Sequence, residues 1–91
     1  MPKYVIERTV PGAGSLNADE LADLSAQSNK VLAGLGPGIQ WVHSYVTDDR
    51  LFCVYNADNE ALIHEHARLG GFPCDHVRRV SAIIDAVSAE G

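Results

Sequence analysis

The sequence predicts a single α+β domain with the element order β-α-β-β-α-β, and two observations support this. Short segments rich in β-branched and aromatic residues alternate with two stretches in which apolar residues recur every three or four positions. Only a few polar residues separate the central pair of β segments, which is typical of a hairpin. This order is that of the ferredoxin-like split βαβ unit, in which two helices cover one face of an antiparallel sheet. The predicted domain spans residues 1–91.

The first strand is predicted over residues 4–10, where Pro11 and Gly12 end it. The first helix begins after Asn17, because Asn17 and Glu20 have the spacing of a capping box. The buried face of this helix follows intervals of three, four and seven residues. It consists of Leu21, Leu24, Ser28, Val31, Leu32 and Leu35.

A hairpin follows, with strands at residues 41–47 and 51–55 and a three-residue turn at 48–50. The second helix is predicted from residues 58–60 to the glycine pair at 70–71. A loop leads to a last strand at residues 77–84, in which Val80 and Ile84 are expected in the core.

This hairpin register decides which side chains share a face of the sheet, since strand side chains alternate. Glu7 and Arg79 are expected on the face without helices, together with several hairpin residues. These are Trp41, His43, Tyr45, Cys53 and Tyr55. A face that is aromatic and polar together is typical of a pocket or of a dimer interface.

Composition excludes several classes of function. Seven Lys and Arg residues face twelve Asp and Glu, and the only adjacent basic pair is Arg78-Arg79, so nucleic-acid binding is not expected. No apolar run approaches the ~20 residues of a membrane span, and no signal-like segment precedes the first strand. Cys53 and Cys74 are too far apart in sequence for a Cys-x-x-Cys motif. We therefore expect a cytoplasmic protein with free thiols and no membrane partner.

Five side chains are candidate metal ligands, because imidazole and carboxylate groups suit divalent transition metals. They are Glu7, His43, His64, His66 and His76. Glu7 and His43 form the most favourable pair, since both are expected on the uncovered face. Such a pair could bind a divalent metal, act as base and orienter, or form a polar network at a dimer interface.

The other histidines each have an alternative role. His64 and His66 diverge on the second helix and cannot chelate one ion, because residues i and i+2 do not face each other. His66 lies in the apolar arc, where a core histidine bonded to a backbone or hydroxyl partner is also expected. His76 belongs to the run Cys74-Asp75-His76, which is either a ligand-rich loop or a plain connection.

Short motifs also occur in a characteristic order: Tyr-Val-Ile-Glu-Arg at 4–8, Pro-Gly at 11–12, Ser-Tyr-Val-Thr-Asp-Asp at 44–49, Cys-Val-Tyr at 53–55, Glu-His-Ala at 65–67 and Gly-Phe-Pro at 71–73. From Tyr4 to Val80, the chain resembles a small bacterial nickel-binding family whose domain is otherwise of unknown function. The resemblance implies a ferredoxin-like fold, a homodimer and Ni²⁺ binding without a known reaction. Glu7, Tyr45, Cys53 and His66 match positions of that pattern; His64, Cys74 and His76 are not part of it.

Three hypotheses remain open at the level of sequence. The first is a small homodimeric Ni²⁺-binding protein that acts as a metal buffer or sensor. The second is a dimeric α+β barrel enzyme for a small molecule, with a pocket formed by Glu7, Trp41, His43, Tyr45 and Tyr55. The third is an interaction domain without a ligand.

Overall fold

A computed structural model describes all 91 residues and confirms the α+β, ferredoxin-like fold. Four antiparallel strands form one sheet in the order β2-β3-β1-β4. The strands are β1 (Lys3–Thr9), β2 (Ile39–Val46), β3 (Arg50–Ala57) and β4 (His76–Arg79). The helices are α1 (Ala18–Leu35) and α2 (Glu60–Gly70), with short 3₁₀ turns at Ala13–Ser15 and Ala86–Glu90. Neither long helix has the combined length and hydropathy that a transmembrane span requires.

Both long helices begin where the sequence predicted, and each starts at an asparagine cap. The Asn17 side chain accepts a hydrogen bond from the Glu20 backbone N–H at 2.8 Å, and Glu20 accepts one from the Asn17 N–H in return. This is the predicted capping box, which satisfies two of the amide groups left free at a helix start. The Asn59 side chain caps α2 by accepting a single hydrogen bond from the Leu62 N–H. Gly71 ends α2 with a left-handed φ of 67°, a conformation that glycine adopts without strain.

One face of the sheet is covered by the helices, and it carries the core. Alternate residues of β1 and β3 are buried on this face, and Ile63 of α2 packs against them. The buried residues of these two strands are Tyr4, Ile6, Arg8, Leu51, Cys53, Tyr55 and Ala57. The intervening residues lie on the opposite, uncovered face. We call this surface the uncovered face throughout; it includes Val5, Glu7, His43, Tyr45, Phe52, Val54, His76 and Arg78.

The predicted hairpin register is wrong by one residue. The turn contains only Asp48 and Asp49, since the Thr47 N–H donates to the Arg50 carbonyl at 2.9 Å. The three-residue turn would have needed a left-handed residue, and no residue other than glycine has a positive φ here. The shorter turn places His43 opposite Val54, so both lie on the uncovered face.

A β-bulge at Val42 then separates side chains that were expected together. Trp41 pairs with Tyr55, whereas the next paired residue of β2 is His43. The extra residue reverses the alternation between Trp41 and His43, as β-bulges do. Trp41, Cys53 and Tyr55 therefore lie on the helix-covered face, not on the uncovered one.

The last strand is shorter than predicted. β4 ends at Arg79, and the Val80 N–H makes one further bond to the Lys3 carbonyl at 2.8 Å. No ladder continues, because β1 itself begins at Lys3. Ile84, expected in the core, is instead 83% exposed. Arg79 pairs with Tyr4 and so lies on the covered side of this edge strand, also contrary to the prediction.

Candidate functional site

The uncovered face brings two of the predicted metal ligands together, although they are not the pair that the sequence favoured. Glu7 on β1 lies directly opposite His76 on β4, and the Glu7 Oε2 and His76 Nε2 atoms are 3.8 Å apart. The Arg50 Nη1 atom lies 3.6 Å from the other Glu7 oxygen. A recess of about 190 Å³ adjoins the pair and is lined by Val5, Glu7, Phe52, His76 and Arg78.

His43 shares this face but does not reach Glu7. His43 is on β2 and Glu7 is on β1, with β3 between them. Neighbouring strands lie about 4.8 Å apart, so the two backbones are separated by about 10 Å. Phe52 occupies the β3 position opposite Glu7, and the His43 ring instead packs edge-on against Tyr45 at 4.9 Å. Within one chain, the structure therefore does not bring Glu7 and His43 together as a pair.

The helix histidines diverge as predicted. His64 is exposed and its Nε2 lies 3.1 Å from the Glu60 carboxylate one turn earlier. His66 is 1% exposed, and its Nε2 lies 3.1 Å from the Ser28 hydroxyl of α1. This is the hydroxyl partner expected for a core histidine. Burial, assisted by the nearby positive charge of Arg8, lowers the pKa of His66 to about 4.

The Cys74-Asp75-His76 run does not form one ligand set. Cys74 packs against the core, and burial raises the pKa of its thiol. The Asp75 carboxylate accepts a hydrogen bond from the Thr9 N–H, and hydrogen bonding by the Thr9 side chain and then its backbone lowers the pKa of Asp75. Only His76 reaches the uncovered face. No three His, Cys, Asp or Glu side chains of the chain are grouped as a metal centre, so imidazole–carboxylate donors occur only as pairs.

A second site lies on the other side of the sheet, between α1, the strands and residues 70–73. It is a partly open cavity of about 490 Å³, which we call the covered cavity. Its walls are largely apolar and include Leu21, Leu24, Trp41 and Leu51. The five-residue enzyme pocket predicted from sequence does not form, because Trp41 and Tyr55 lie on this side of the sheet. Glu7, His43 and Tyr45 lie on the other.

Arg8 is the one charged residue that lines the covered cavity, and it was not among the predicted site residues. The side chain is only 4% exposed. Its Nη1 donates to the Pro73 carbonyl, its guanidinium carbon lies 5.6 Å above the Phe72 ring, and its Nη2 has no hydrogen-bond partner. The sequence contains a signal for this position, because Arg8 continues the alternation of Tyr4 and Ile6 onto the covered face.

The neighbours of Arg8 are uncharged at neutral pH. Burial raises the pKa of Tyr55, which lines the cavity, so its hydroxyl stays protonated. His66, whose ring lies 5.2 Å from both Tyr55 and Phe72, is neutral for the reason given above. The cavity is thus a mostly apolar chamber with a single positive charge and several hydroxyl groups, among them those of Tyr55 and Ser28.

Comparison with known proteins places the chain in a family. The model of a family described as "Nickel responsive protein SCO4226-like" matches residues 4–80. A solved structure, titled a crystal structure analysis of SCO4226 from Streptomyces coelicolor A3(2), superposes with a TM-score of 0.71 at 14% sequence identity. The match covers 90% of this chain and 99% of that one, and at this identity it shows the fold alone. A search of curated proteins gives no match. The chain belongs to the SCO4226-like family of nickel responsive proteins.

Proposed function

We propose that this protein is a small, cytoplasmic, homodimeric Ni²⁺-binding protein that serves as a metal buffer or sensor. The observation that carries the proposal is the Glu7–His76 pair, held at 3.8 Å on a sheet face that no helix covers. The nickel responsive family supports the choice of metal. The two free cysteines fit a reducing compartment.

The donor chemistry of the pair fits Ni²⁺. Imidazole nitrogen and carboxylate oxygen are both ligands of divalent nickel. The strand ladder fixes both backbones, so little ordering is needed when the two side chains converge. Two protein donors leave the remaining coordination positions to water or other groups. Affinity is therefore modest, and the fold does not depend on the metal as it does in a zinc finger.

The rest of the uncovered face supports a dimer. Val5, Phe52 and Val54 are partly buried within one chain, and Tyr45 beside them is 61% exposed. A contiguous apolar strip on a sheet face is commonly covered by a partner in a domain this small. We expect sedimentation equilibrium at micromolar concentration to give twice the chain mass. A monomer mass that persists at high protein concentration would contradict the dimer.

Replacing His76 with alanine should weaken Ni²⁺ binding at least about tenfold, since it removes one of two protein donors. The matched control is His64→Ala, which removes an imidazole that faces a carboxylate on the opposite side of the molecule. Isothermal titration calorimetry of metal-free protein measures both. Binding by the parent should also weaken as pH falls through the histidine range, because protonated imidazole cannot ligate. If His76→Ala and the parent had equal affinity for Ni²⁺, the Glu7–His76 pair would not be the metal site.

In the same titration, replacing Arg50 should change Ni²⁺ affinity in the opposite direction from replacing His76. The Arg50 guanidinium pairs with Glu7 and would also repel a cation, so Arg50→Gln should strengthen Ni²⁺ binding roughly two- to fivefold. Arg68→Gln makes the same change in net charge at an exposed pair with Glu65 on α2 and should leave affinity unaltered. A similar gain in both variants would indicate a general charge effect instead of a site at Glu7.

A further inference from the structure

We propose that the covered cavity binds a small organic monocarboxylate with an apolar body, and that Arg8 pairs with the carboxylate. This site is separate from the proposed metal site, because the sheet lies between them. It assigns a ligand class to a region that neither the metal nor the dimer uses.

The first argument is the state of Arg8. Its guanidinium is always charged in a protein and is 4% exposed, yet no carboxylate of the chain lies within 4 Å of it. The sequence has twelve Asp and Glu residues that could have supplied a counter-ion. Buried charges are normally paired, because an isolated charge in a low-dielectric interior is strongly disfavoured. An anion that enters from the adjoining cavity would supply the missing charge.

The second argument is the shape and chemistry of the cavity. Its volume of about 490 Å³ falls within the range of small-molecule sites, roughly 300–1,000 Å³. Leu21, Leu24, Trp41 and Leu51 provide apolar walls, which favour a ligand with a hydrocarbon or aromatic body. A few polar groups set in a mostly apolar lining are the usual pattern of a specific ligand pocket.

The third argument selects a monocarboxylate over a more highly charged anion. Arg8 is the only charged group in the lining, and its polar neighbours Tyr55 and Ser28 contribute hydroxyls. The Ser28 oxygen, already close to His66, has capacity for another hydrogen bond. A phosphate dianion would bring two negative charges to one positive charge, whereas a carboxylate matches it. Guanidinium and carboxylate groups also pair with complementary planar geometry.

Trp41 provides the measurement, because it is the only tryptophan of the chain and it lines the cavity. We would titrate the protein with octanoate and with 1-octanol, which share a chain length and differ in charge, and follow Trp41 fluorescence. The parent should bind octanoate with saturation and more tightly than 1-octanol. Arg8→Met should weaken octanoate binding roughly tenfold or more and leave 1-octanol within about twofold. Arg50→Met, which removes the same charge on the uncovered face, should bind both probes as the parent does.

Two further measurements keep the test decisive. If Arg8→Met does not fold, the unaltered protein should bind octylammonium, which has the same chain length and a positive charge, more weakly than 1-octanol, because Arg8 repels it. Folded Arg8→Met should titrate Ni²⁺ like the parent, so that failure of this proposal is distinct from failure of the metal site. The proposal is overturned if the parent binds the two probes equally, if it binds neither, or if Arg8→Met retains parental affinity for octanoate.

Discussion

Replacing Ile6 with alanine should lower the free energy of unfolding by about 3 kcal/mol, within the range of about 2–5 kcal/mol seen for such core truncations. Ile6 is fully buried at the centre of the sheet, where Cys53 and Val77 are its cross-strand partners. Truncation removes apolar contacts and leaves a space that the fixed strands cannot close. Equilibrium unfolding in urea, monitored by far-ultraviolet circular dichroism, measures the loss.

Val5→Ala is the matched control, because it shortens a neighbouring side chain of β1 on the uncovered face. Val5 is only partly buried in one chain, so its loss should cost about 1 kcal/mol. If the proposed dimer forms through this face, the effect of Val5→Ala should depend on protein concentration. A larger intrinsic loss at Val5 than at Ile6 would show that the two faces have been assigned the wrong way round.

Acidification should destabilise the protein through His66. The pKa of His66 is about 4 in the folded chain, against 6.5 for an unperturbed histidine, because burial disfavours the imidazolium. The folded state thus binds the proton less readily than the unfolded chain. The stabilisation that this pKa difference provides is fully present above about pH 6.5 and is lost as pH falls from about 6.5 towards about 4. The full difference corresponds to about 3 kcal/mol, of which about 2 kcal/mol is lost by pH 5.

Urea unfolding at pH 7 and at pH 5 tests this expectation. His66→Gln should have a lower free energy of unfolding than the parent at pH 7. Its free energy of unfolding should change much less between pH 7 and pH 5, since the glutamine amide does not titrate. His64→Gln removes an exposed imidazole from the same helix and should keep the parental pH dependence. A parental pH dependence in His66→Gln would assign the effect to other groups, such as the carboxylates.

Local signals in the sequence were sufficient to predict the element order. Asn17 with Glu20, and Asn59 before the second helix, satisfy amides within a few residues of themselves, so their effect does not depend on the rest of the fold. The opposite orientations of His64 and His66 follow from helix geometry alone. These features are encoded by neighbours in the chain, and the structure confirms them.

The positions of the candidate site residues depend on contacts between distant parts of the chain, which the sequence does not reveal. The Glu7–His76 pair exists because of the register between β1 and β4, which the sequence does not show in advance. The Asp48-Asp49 turn lacks the glycine that usually marks a two-residue hairpin, and no glycine or proline marks the bulge at Val42. Arg8 has the spacing of a buried residue, but arginine is almost never fully buried without a partner. Only the three-dimensional structure shows that Arg8 is buried and that no carboxylate of the chain lies within 4 Å of it.

The bulge at Val42 has a consequence for how this strand tolerates changes in length. Trp41 and Ser44 face the covered cavity, with the Trp41 indole N–H donating to the Ser44 hydroxyl at 3.0 Å, whereas His43 and Tyr45 face away. A chain without Val42 would restore an unbroken two-residue alternation and leave all four of these side chains on their present faces. Loss of one residue elsewhere within β2 would exchange the faces of part of the strand. Related sequences that are one residue shorter at this position can therefore retain both surfaces.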